Sequence, residues 1–548
     1  MSAKFQKLKV LLSLILMENR SRRRLRILMW VMGLALLFAL YTSGIRNNPP
    51  GFYVDESAVA YNAYLVAHTG AGEFGPRFPL FFQYYSDSWI QIGDPTQVYM
   101  LAAVFRFFPP SILLARMFGA FWVFTACLLL GLLAKRISGR RTIGVIVAAT
   151  ALLTPWFFEG RGLLLEPQFV PMALAPFLLT VYHVQRKDRW SWLEVALLAA
   201  TLALVTYCYT SGRLLGPLLA LGLLFFATTR QRLVSVIKAG LLYGMTLCPI
   251  LVFNWRNPGV LTKRLNEISY IRPGVPWSES ASQFIKRYLE DQSLTGLLLN
   301  GDIHPRHHVP GSGGALFFAT FILAIIGLVI VITRLRGDPW WRFVLFGLAA
   351  AIVPGAISLE PFHGMRLIAY PVFLLLLTVP ALEWLLARNT HKTDLVPSPS
   401  YETGSPLLAD GQPFGPRVAE GVLPRAARLW ILFLLLALTA VEAYRFQTVF
   451  RRDGPHRSFD FDVSYKTAYD AAIKQPARPI YLEDGKWGPA YIHALWYAAV
   501  EKRPRSEFVH LAAGARPPAG KIVISSAETC QQCESIVHAG VYHVYKTL

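Results

Sequence analysis

Residues 22–56 read RRRLRILMWVMGLALLFALYTSGIRNNPPGFYVDE, and the order of three parts within that stretch decides the fold. A basic cluster (Arg22, Arg23, Arg24, Arg26) precedes an apolar run from Ile27, and an acidic pair, Asp55-Glu56, follows soon after it. A hydrocarbon core about 30 Å thick needs about 20 apolar helical residues to cross it. The run from Ile27 comes close to that length, and its flanking charges orient it, because Lys and Arg are retained on the cytoplasmic side. A secretory leader has the same basic start. No small-residue cleavage site follows Ala39 to Gly44, so the run is expected to remain as a first span.

Ten further runs of the same kind begin near Leu113, Thr142, Leu165, Trp192, Arg213, Leu233, Ala315, Trp341, Arg366 and Leu429. Between them the basic clusters fall on alternate connections: Lys135-Arg136 with Arg140-Arg141, Arg186-Lys187 with Arg189, Arg230 with Arg232, Arg334 with Arg336, and Arg388 with Lys392. The first connection of the other set carries Asp55, Glu56, Glu73, Asp87 and Asp94. The basic set is therefore expected in the cytoplasm and the acidic set outside. An odd number of spans then places the C-terminus outside as well. The composition agrees: only 16% of the 548 residues are charged, against about 25% in soluble domains, and the mean hydropathy is +0.40. A net charge of +21 would suit nucleic acid if the cations covered one soluble face. They sit instead in short clusters between apolar runs, so no nucleic-acid partner is expected.

These readings give an all-α polytopic membrane protein of about eleven transmembrane helices over residues 1–445, located in the cell membrane. Residues 446–548 are expected to form a small extracytoplasmic α/β domain, because helical patterns (Tyr465 to Lys474, Pro489 to Val500) alternate with strand-like runs (Pro479 to Leu482, Lys521 to Ser525, Val541 to Tyr545). Thr96 to Phe108 is apolar but short and carries Arg106, which suits a helix lying at the interface. Ser282 to Leu299 has a helical pattern within an outer loop, and Asn389 to Pro424 has the Pro, Gly and Ser content of a linker. Cys127, Cys208 and Cys248 lie within apolar runs, whereas Cys530 and Cys533 form a C-x-x-C pair expected to be a disulfide outside the cytoplasm.

Three groups of residues carry candidate chemistry. Asp55 and Glu56 begin a helical pattern just beyond the first span. Acids at a helix start also suit the macrodipole, so the pair has a structural reading too. Arg161 and Glu166 in GRGLLLE stand at the outer junction of the third and fourth spans, where ionisable groups either snorkel or serve a function. The third group is an outer-face set of cations and imidazoles: Arg213 in YTSGRLLGP, His304, Arg306, His307 and His308 in GDIHPRHHVPG, and His363 and Arg366 in PFHGMRLIAYP. Cations on the acidic side call for a local anion, either carboxylate or phosphate. The H-x-x-H-H spacing alone assigns no metal ligands; a divalent metal is admitted as a cofactor without a site.

An acidic pair in the first outer loop, many spans, and an Arg and an acid five residues apart after the third span resemble the GT-C membrane glycosyltransferases. The nearest members are those like protein O-mannosyltransferases and aminoarabinose transferases. The first-loop D-E pair of that family looks like Asp55-Glu56, and its S-R-Y-I-L-L-D motif looks like Gly160 to Glu166, with Glu166 in place of Asp. The resemblance covers roughly Ile27 to Arg388. It implies transfer of a sugar from a polyprenyl-phosphate donor to an acceptor hydroxyl of a glycan, lipid or protein on the extracytoplasmic face, with inversion. Asp55 is then the base and Glu56 its partner. Arg161, Arg213, His363 and Arg366 would hold the donor phosphate, and Glu166, Asp302 and His304 would contact substrate. The loop from Asn254 to Gly314 is too short for the β-trefoil module of the eukaryotic protein mannosyltransferases, which argues against a protein acceptor.

Three other classes are weighed against this one. A transporter or lipid-linked-sugar flippase would show internal repeats and broken helices at the midplane, and no repeat is found. A polysaccharide polymerase or ligase would differ in using a diphosphate-linked donor. A purely structural membrane protein has no need of outer-face cations beside acids.

Overall fold

Lipid offers no partners to backbone N–H and C=O groups, so an apolar run must close its hydrogen bonds within itself, as a helix does. The computed structural model describes residues 25–86, 89–387, 423–512, 514–527, 530 and 533–548, and each of the eleven runs is helical. Helix α1 is Leu25–Tyr41. It is followed by α2 (Val54–Thr69), α3 (Pro95–Phe105), α4 (Ile112–Ser138) and α5 (Arg141–Leu153). The later long helices are Val170–Val184, Trp192–Cys208, Gly212–Gly222, Arg230–Arg256, Phe318–Arg334, Pro339–Ala350, Tyr370–Leu385 and Arg425–Asp453. Five segments (Ile112–Ser138, Glu166–Val184, Arg230–Arg256, Pro339–Ala356 and Arg425–His456) are long and apolar enough to cross a membrane; the other apolar helices run 10–17 residues. Only 17% of the most apolar part of Arg230–Arg256 is covered by protein, and Leu241, Met245 and Leu251 stand exposed on it. Such a surface is stable only in a solvent as apolar as itself. The linker expected at Asn389 to Pro424 and the basic N-terminal cluster lie almost wholly outside the described residues.

Helices pack closely in this bundle where side chains are absent. A Cβ on Gly131 of α4 would lie 2.6 Å from the carbonyl oxygen of Gly144 in α5, and one on Gly327 would lie 1.6 Å from the carbonyl oxygen of Leu377. Association of helices in lipid relies on such van der Waals approach, since no hydrophobic force separates protein from its solvent.

The first outer loop is more ordered than a connection. Helix α2 packs along α3, which buries Gln97, Val98, Leu101, Ala102 and Phe105. Strands β1 (Phe82–Tyr84) and β2 (Gln91–Gly93) form an antiparallel hairpin beside α2. In the second long outer loop, the expected helical pattern is realised as Trp277–Glu290 and a short π turn, Gly296–Asn300.

The C-terminal segment contains a five-stranded mixed sheet in the order β4-β3-β5-β7-β6. Its strands are β3 (Ile480–Glu483), β4 (Phe508–His510), β5 (Ile522–Ser525), β6 (Cys533–Ala539) and β7 (Tyr542–Thr547), joined by helices Val463–Ile473 and Tyr491–Val500. Strands β4 and β6 had no sequence signal. The first is three residues long, and the second has three of its seven side chains half-buried, three exposed and only one buried, so neither shows the alternation that marks a strand. The helix Arg425–Asp453 runs past the expected boundary at Phe446, because Phe446 and Phe450 pack on Phe158 and keep that turn in the bundle core. Cys530 and Cys533 are joined in a disulfide.

The sheet domain is seated on the bundle rather than tethered to it. Helix Tyr491–Val500 is buried almost throughout and lies on α2. There Trp496 stacks on Phe52 at 5.6 Å, and His493 Nδ1 is 2.8 Å from Ser57 Oγ. Arg457 adds hydrogen bonds to Asn48 (3.1 Å) and to the carbonyl of Pro305 (2.7 Å). Glu73 from the first loop completes this interface beside Tyr491, Arg505 and His510. Burial pushes its carboxyl up to about 7, more than Tyr491 and Arg505 pull it down.

A raised folded-state value means that docking favours neutral Glu73. That contribution is full below the ordinary carboxyl value and is lost as pH rises through about 7. Hydrogen exchange in Tyr491–Val500, corrected for intrinsic rates, should be faster at pH 8 than at pH 6, and Glu73→Gln should remove the difference. An unchanged pH response in Glu73→Gln would exclude this carboxyl as its source.

Candidate active site

Neighbouring residues on a helix point about 100° apart, and Asp55 and Glu56 meet different surroundings here. Helix α2 starts at Val54, soon after Pro49-Pro50-Gly51, and its first turn gives the two acids different neighbours. Glu56 is fully buried. Its Oε2 accepts from the Tyr53 amide (3.0 Å) and Arg116 Nη2 (3.1 Å), and its Oε1 accepts from the Leu164 amide (2.9 Å) and Arg116 Nε (3.3 Å). Arg116 spends its remaining donors on the carbonyls of Pro49 (2.7 Å) and Gly51 (2.5 Å). Every acceptor of Glu56 is taken, which leaves this carboxylate as the pin of the helix start.

Asp55 is half-buried and faces a cavity of about 530 Å³. Its Oδ1 accepts a hydrogen bond from Tyr85 Oη at 2.6 Å. Tyr85 is buried and holds a left-handed backbone, φ 65°, a conformation that tertiary contacts must enforce. The bundle contributes Tyr53, Asp55, Tyr85 and Gln91 from the first loop to the cavity wall, Arg264 and Glu267 from the second long loop, and Arg306 from GDIHPRHHVPG. Arg306 lies over the Tyr53 ring at 3.5 Å, and Arg264 pairs with Glu267 at 2.9 Å. The sheet domain closes the opposite side with Asp460, Asp462, Trp487, His493 and Tyr542, among others.

The expected arginines are placed differently. Arg161 is 1% exposed; it donates to the carbonyls of Tyr41 (2.7 Å) and Phe158 (2.6 Å) and stacks on the Phe158 ring at 3.4 Å. It ties the end of α1 to the bundle and does not line the cavity. Arg213 pairs with Asp94 at 2.7 Å. The backbone amide of Asp94 donates to Glu166 Oε1 (2.9 Å), as does Tyr84 Oη (3.1 Å). Glu166 thus sits behind the hairpin, one tyrosine removed from the Tyr85–Asp55 contact. Arg366 pairs with Glu360 at 3.0 Å and bonds Ser358 Oγ at 2.9 Å.

His304, His307 and His363 do come together, with ring centroids 4.8–5.3 Å apart. Asp302 holds them in place: its Oδ1 accepts from the His304 amide (2.9 Å), and its Oδ2 meets the Gly364 amide (2.6 Å) and His307 Nδ1 (2.9 Å). Burial opposes ionisation of Asp302, but the hydrogen bond and charge of His307 prevail and hold its carboxyl below the usual range. Burial pushes His363 down to about 2, helped by Arg366 and His307, which leaves its imidazole neutral. Two triplets, Asp302-His307-His363 and His304-Glu360-His363, each keep their ligand atoms within 4.8 Å of one another. His308 turns the other way, to Glu159 at 2.6 Å. Neither Asp302 nor His304 lines the 530 Å³ cavity.

Sequence reasoning missed Arg264, Tyr85 and the whole sheet-domain wall. Arg264 with Glu267 reads as an ordinary i,i+3 surface pair, and nothing local marks a residue whose partner lies hundreds of positions away.

No family model matches the chain, and no curated protein matches it. Among solved structures, ArnT from Cupriavidus metallidurans in the apo state superposes with a TM-score of 0.58 at 11% identity, over 95% of this chain and 98% of that one. ArnT from Cupriavidus metallidurans bound to undecaprenyl phosphate superposes with a TM-score of 0.55 at 10% identity and the same coverage. Identity this low speaks for architecture alone, and on that ground the chain has the fold of the GT-C membrane glycosyltransferases.

Proposed function

We propose that this protein transfers a sugar from a polyprenyl-phosphate donor to an acceptor hydroxyl on the extracytoplasmic face of the membrane, with Asp55 as general base. One observation carries the reading: Asp55, held by Tyr85, shares a 530 Å³ cavity with Arg264 and Arg306. The solved ArnT structure with undecaprenyl phosphate supports a lipid phosphate as the donor's anchor. The alternation of basic clusters supports the outward face for this cavity.

In this reaction the acceptor oxygen attacks the anomeric carbon while its proton passes to Asp55. The bond from that carbon to the phosphate oxygen breaks, and the lipid phosphate departs with the bonding pair. Arg306 and Arg264 stabilise the charge that gathers there, in place of the expected Arg161. Arg264 has Glu267 as its own partner, and Arg213 and Arg366, paired with Asp94 and Glu360, stand outside the cavity wall. A single displacement inverts the anomeric centre. Glu56 acts through position: the Arg116 pair fixes where α2 begins and so where Asp55 points.

The histidine cluster fits a divalent cation, since His363 Nδ1 and His304 Nε2 are buried without a hydrogen-bond partner and neutral imidazole is a good ligand. Either triplet, Asp302-His307-His363 or His304-Glu360-His363, would hold it, and it would supply positive charge beside Arg366. Purified protein should carry or bind about one zinc equivalent by elemental analysis, and His307→Ala with His363→Ala should lose it. Equal metal content in wild type and double variant would remove this site.

The decisive assay incubates inside-out and right-side-out vesicles with labelled polyprenyl-phosphate sugars. Transfer is expected only when donor and acceptor reach the outer face; flux of donor without transfer would favour a flippase instead. Asp55→Asn should lower turnover by about 100-fold or more while the protein still binds undecaprenyl phosphate, and near-normal turnover would eliminate Asp55 as the base. Arg306→Ala should lower kcat/KM for the donor by about 10²-fold. Arg161→Lys, by contrast, should reduce the thermal unfolding temperature and leave the donor KM of the folded fraction unchanged. The reverse pattern would return Arg161 to the phosphate site.

A further inference from the structure

The sheet-domain wall of the cavity differs in chemistry from the bundle wall. Both arginines that line the cavity, Arg264 and Arg306, come from bundle loops. Among the described residues, no Lys or Arg of the sheet domain lines it; that side presents Asp460 and Asp462. Asp462 is held between Tyr542 Oη (2.7 Å) and His493 Nε2 (3.3 Å). Asp460 is half-buried at the wall. The sheet-domain side is thus purely anionic, whereas the bundle side carries both signs, Arg264 and Arg306 beside Asp55 and Glu267.

The anionic side also carries exposed aromatic rings. Phe459 is 66% exposed and Trp487 is 52% exposed, with the two rings edge to face at 5.8 Å. Trp89 from the first loop, 37% exposed, lines the same cavity. Apolar rings left in water at the mouth of a cavity mark a binding surface more readily than a packing one. A hydrocarbon chain would want a continuous apolar trough, yet Phe459 stands between Ser458 and Asp460. A pyranose matches the alternation, because its C–H face packs on a ring while its hydroxyl edge donates to carboxylates.

We propose that Phe459, Trp487 and Trp89, with Asp460, form the acceptor subsite, and that the acceptor presents a neutral or amino-bearing saccharide to it. This deepens the glycosyl-transfer reading and rests on it for the word acceptor. The donor phosphate meets the arginines on one wall, and the sugar that receives the transfer lies on the rings of the other. An anionic acceptor at this position would be repelled by Asp460 and Asp462.

The test is saturation-transfer NMR on the full chain in nanodiscs, with cellobiose, maltose, mannobiose and chitobiose as probes and glucose 6-phosphate as the anionic comparison. At least one neutral or amino-bearing disaccharide should receive saturation on its C–H face. The Phe459→Ala/Trp487→Ala double variant should lose at least fivefold of that signal, whereas Trp277→Ala, exposed elsewhere, should not. Both altered side chains are exposed, so the double variant should fold, and its retained binding of undecaprenyl phosphate confirms this. The proposal is overturned if no disaccharide is saturated, if glucose 6-phosphate is saturated more strongly and that signal is lost in the double variant, or if the double variant keeps the disaccharide signal. Saccharide binding in a protein that does not bind undecaprenyl phosphate would uphold the subsite and defeat the transferase reading.

Discussion

The arrangement around the cavity depends on one buried ion pair, Glu56 with Arg116. The guanidinium reaches across from α4 and collects the Glu56 carboxylate and two carbonyls of the Pro49 to Gly51 turn, so that α2 can start at only one place and angle. Removing two charges from water costs several kcal/mol per ion, and the cost is recovered only when the remaining lone pairs and protons are satisfied. Here they are: two backbone amides, from Tyr53 and Leu164, fill the other acceptor positions. The Leu164 amide also brings the Gly160 to Glu166 segment against α2. One interaction therefore joins the first loop, α4 and the junction of two later helices.

From that pin the cavity follows geometrically. With Glu56 turned inward, Asp55 lines the cavity, and the hairpin carrying Tyr84 reaches it through Tyr85. Tyr85 bonds Asp55 while Tyr84 bonds Glu166, so the two acidic motifs communicate through adjacent tyrosines and not by direct contact. The sheet domain completes the enclosure by laying helix Tyr491–Val500 on α2, where His493 touches Ser57 only two residues from Asp55. The domain that looked like an appendage is one half of the cavity.

Much of the fold was legible in the sequence because solvation acts locally. A run of apolar side chains reports its own solvent, and a helix is the only way for it to satisfy its backbone, so all eleven runs could be placed without knowing their neighbours. Helical patterning likewise located α2 and both helices of the sheet domain. Strands β4 and β6 were not legible, since short and half-exposed strands are made by their partners more than by their own pattern. The Asp55-Glu56 pair was legible as a site, but the division of labour within it was not.

The amino-acid sequence by itself determined which segments seek lipid, that basic clusters fall on alternate connections, and that acids and cations gather in the long loops. Those are properties of single segments and their solvent. Only the tertiary structure decided which cation meets which acid. It gave Arg161 to backbone carbonyls and an aromatic ring, gave Arg213 and Arg366 to carboxylates, left Arg264 and Arg306 on the cavity with Asp55, and brought residues beyond 450 to its far wall. The reason is physical. A buried charge must be matched by whatever group the packing brings within about 3 Å, and that group is chosen by helix angles and loop closure, which no local pattern records.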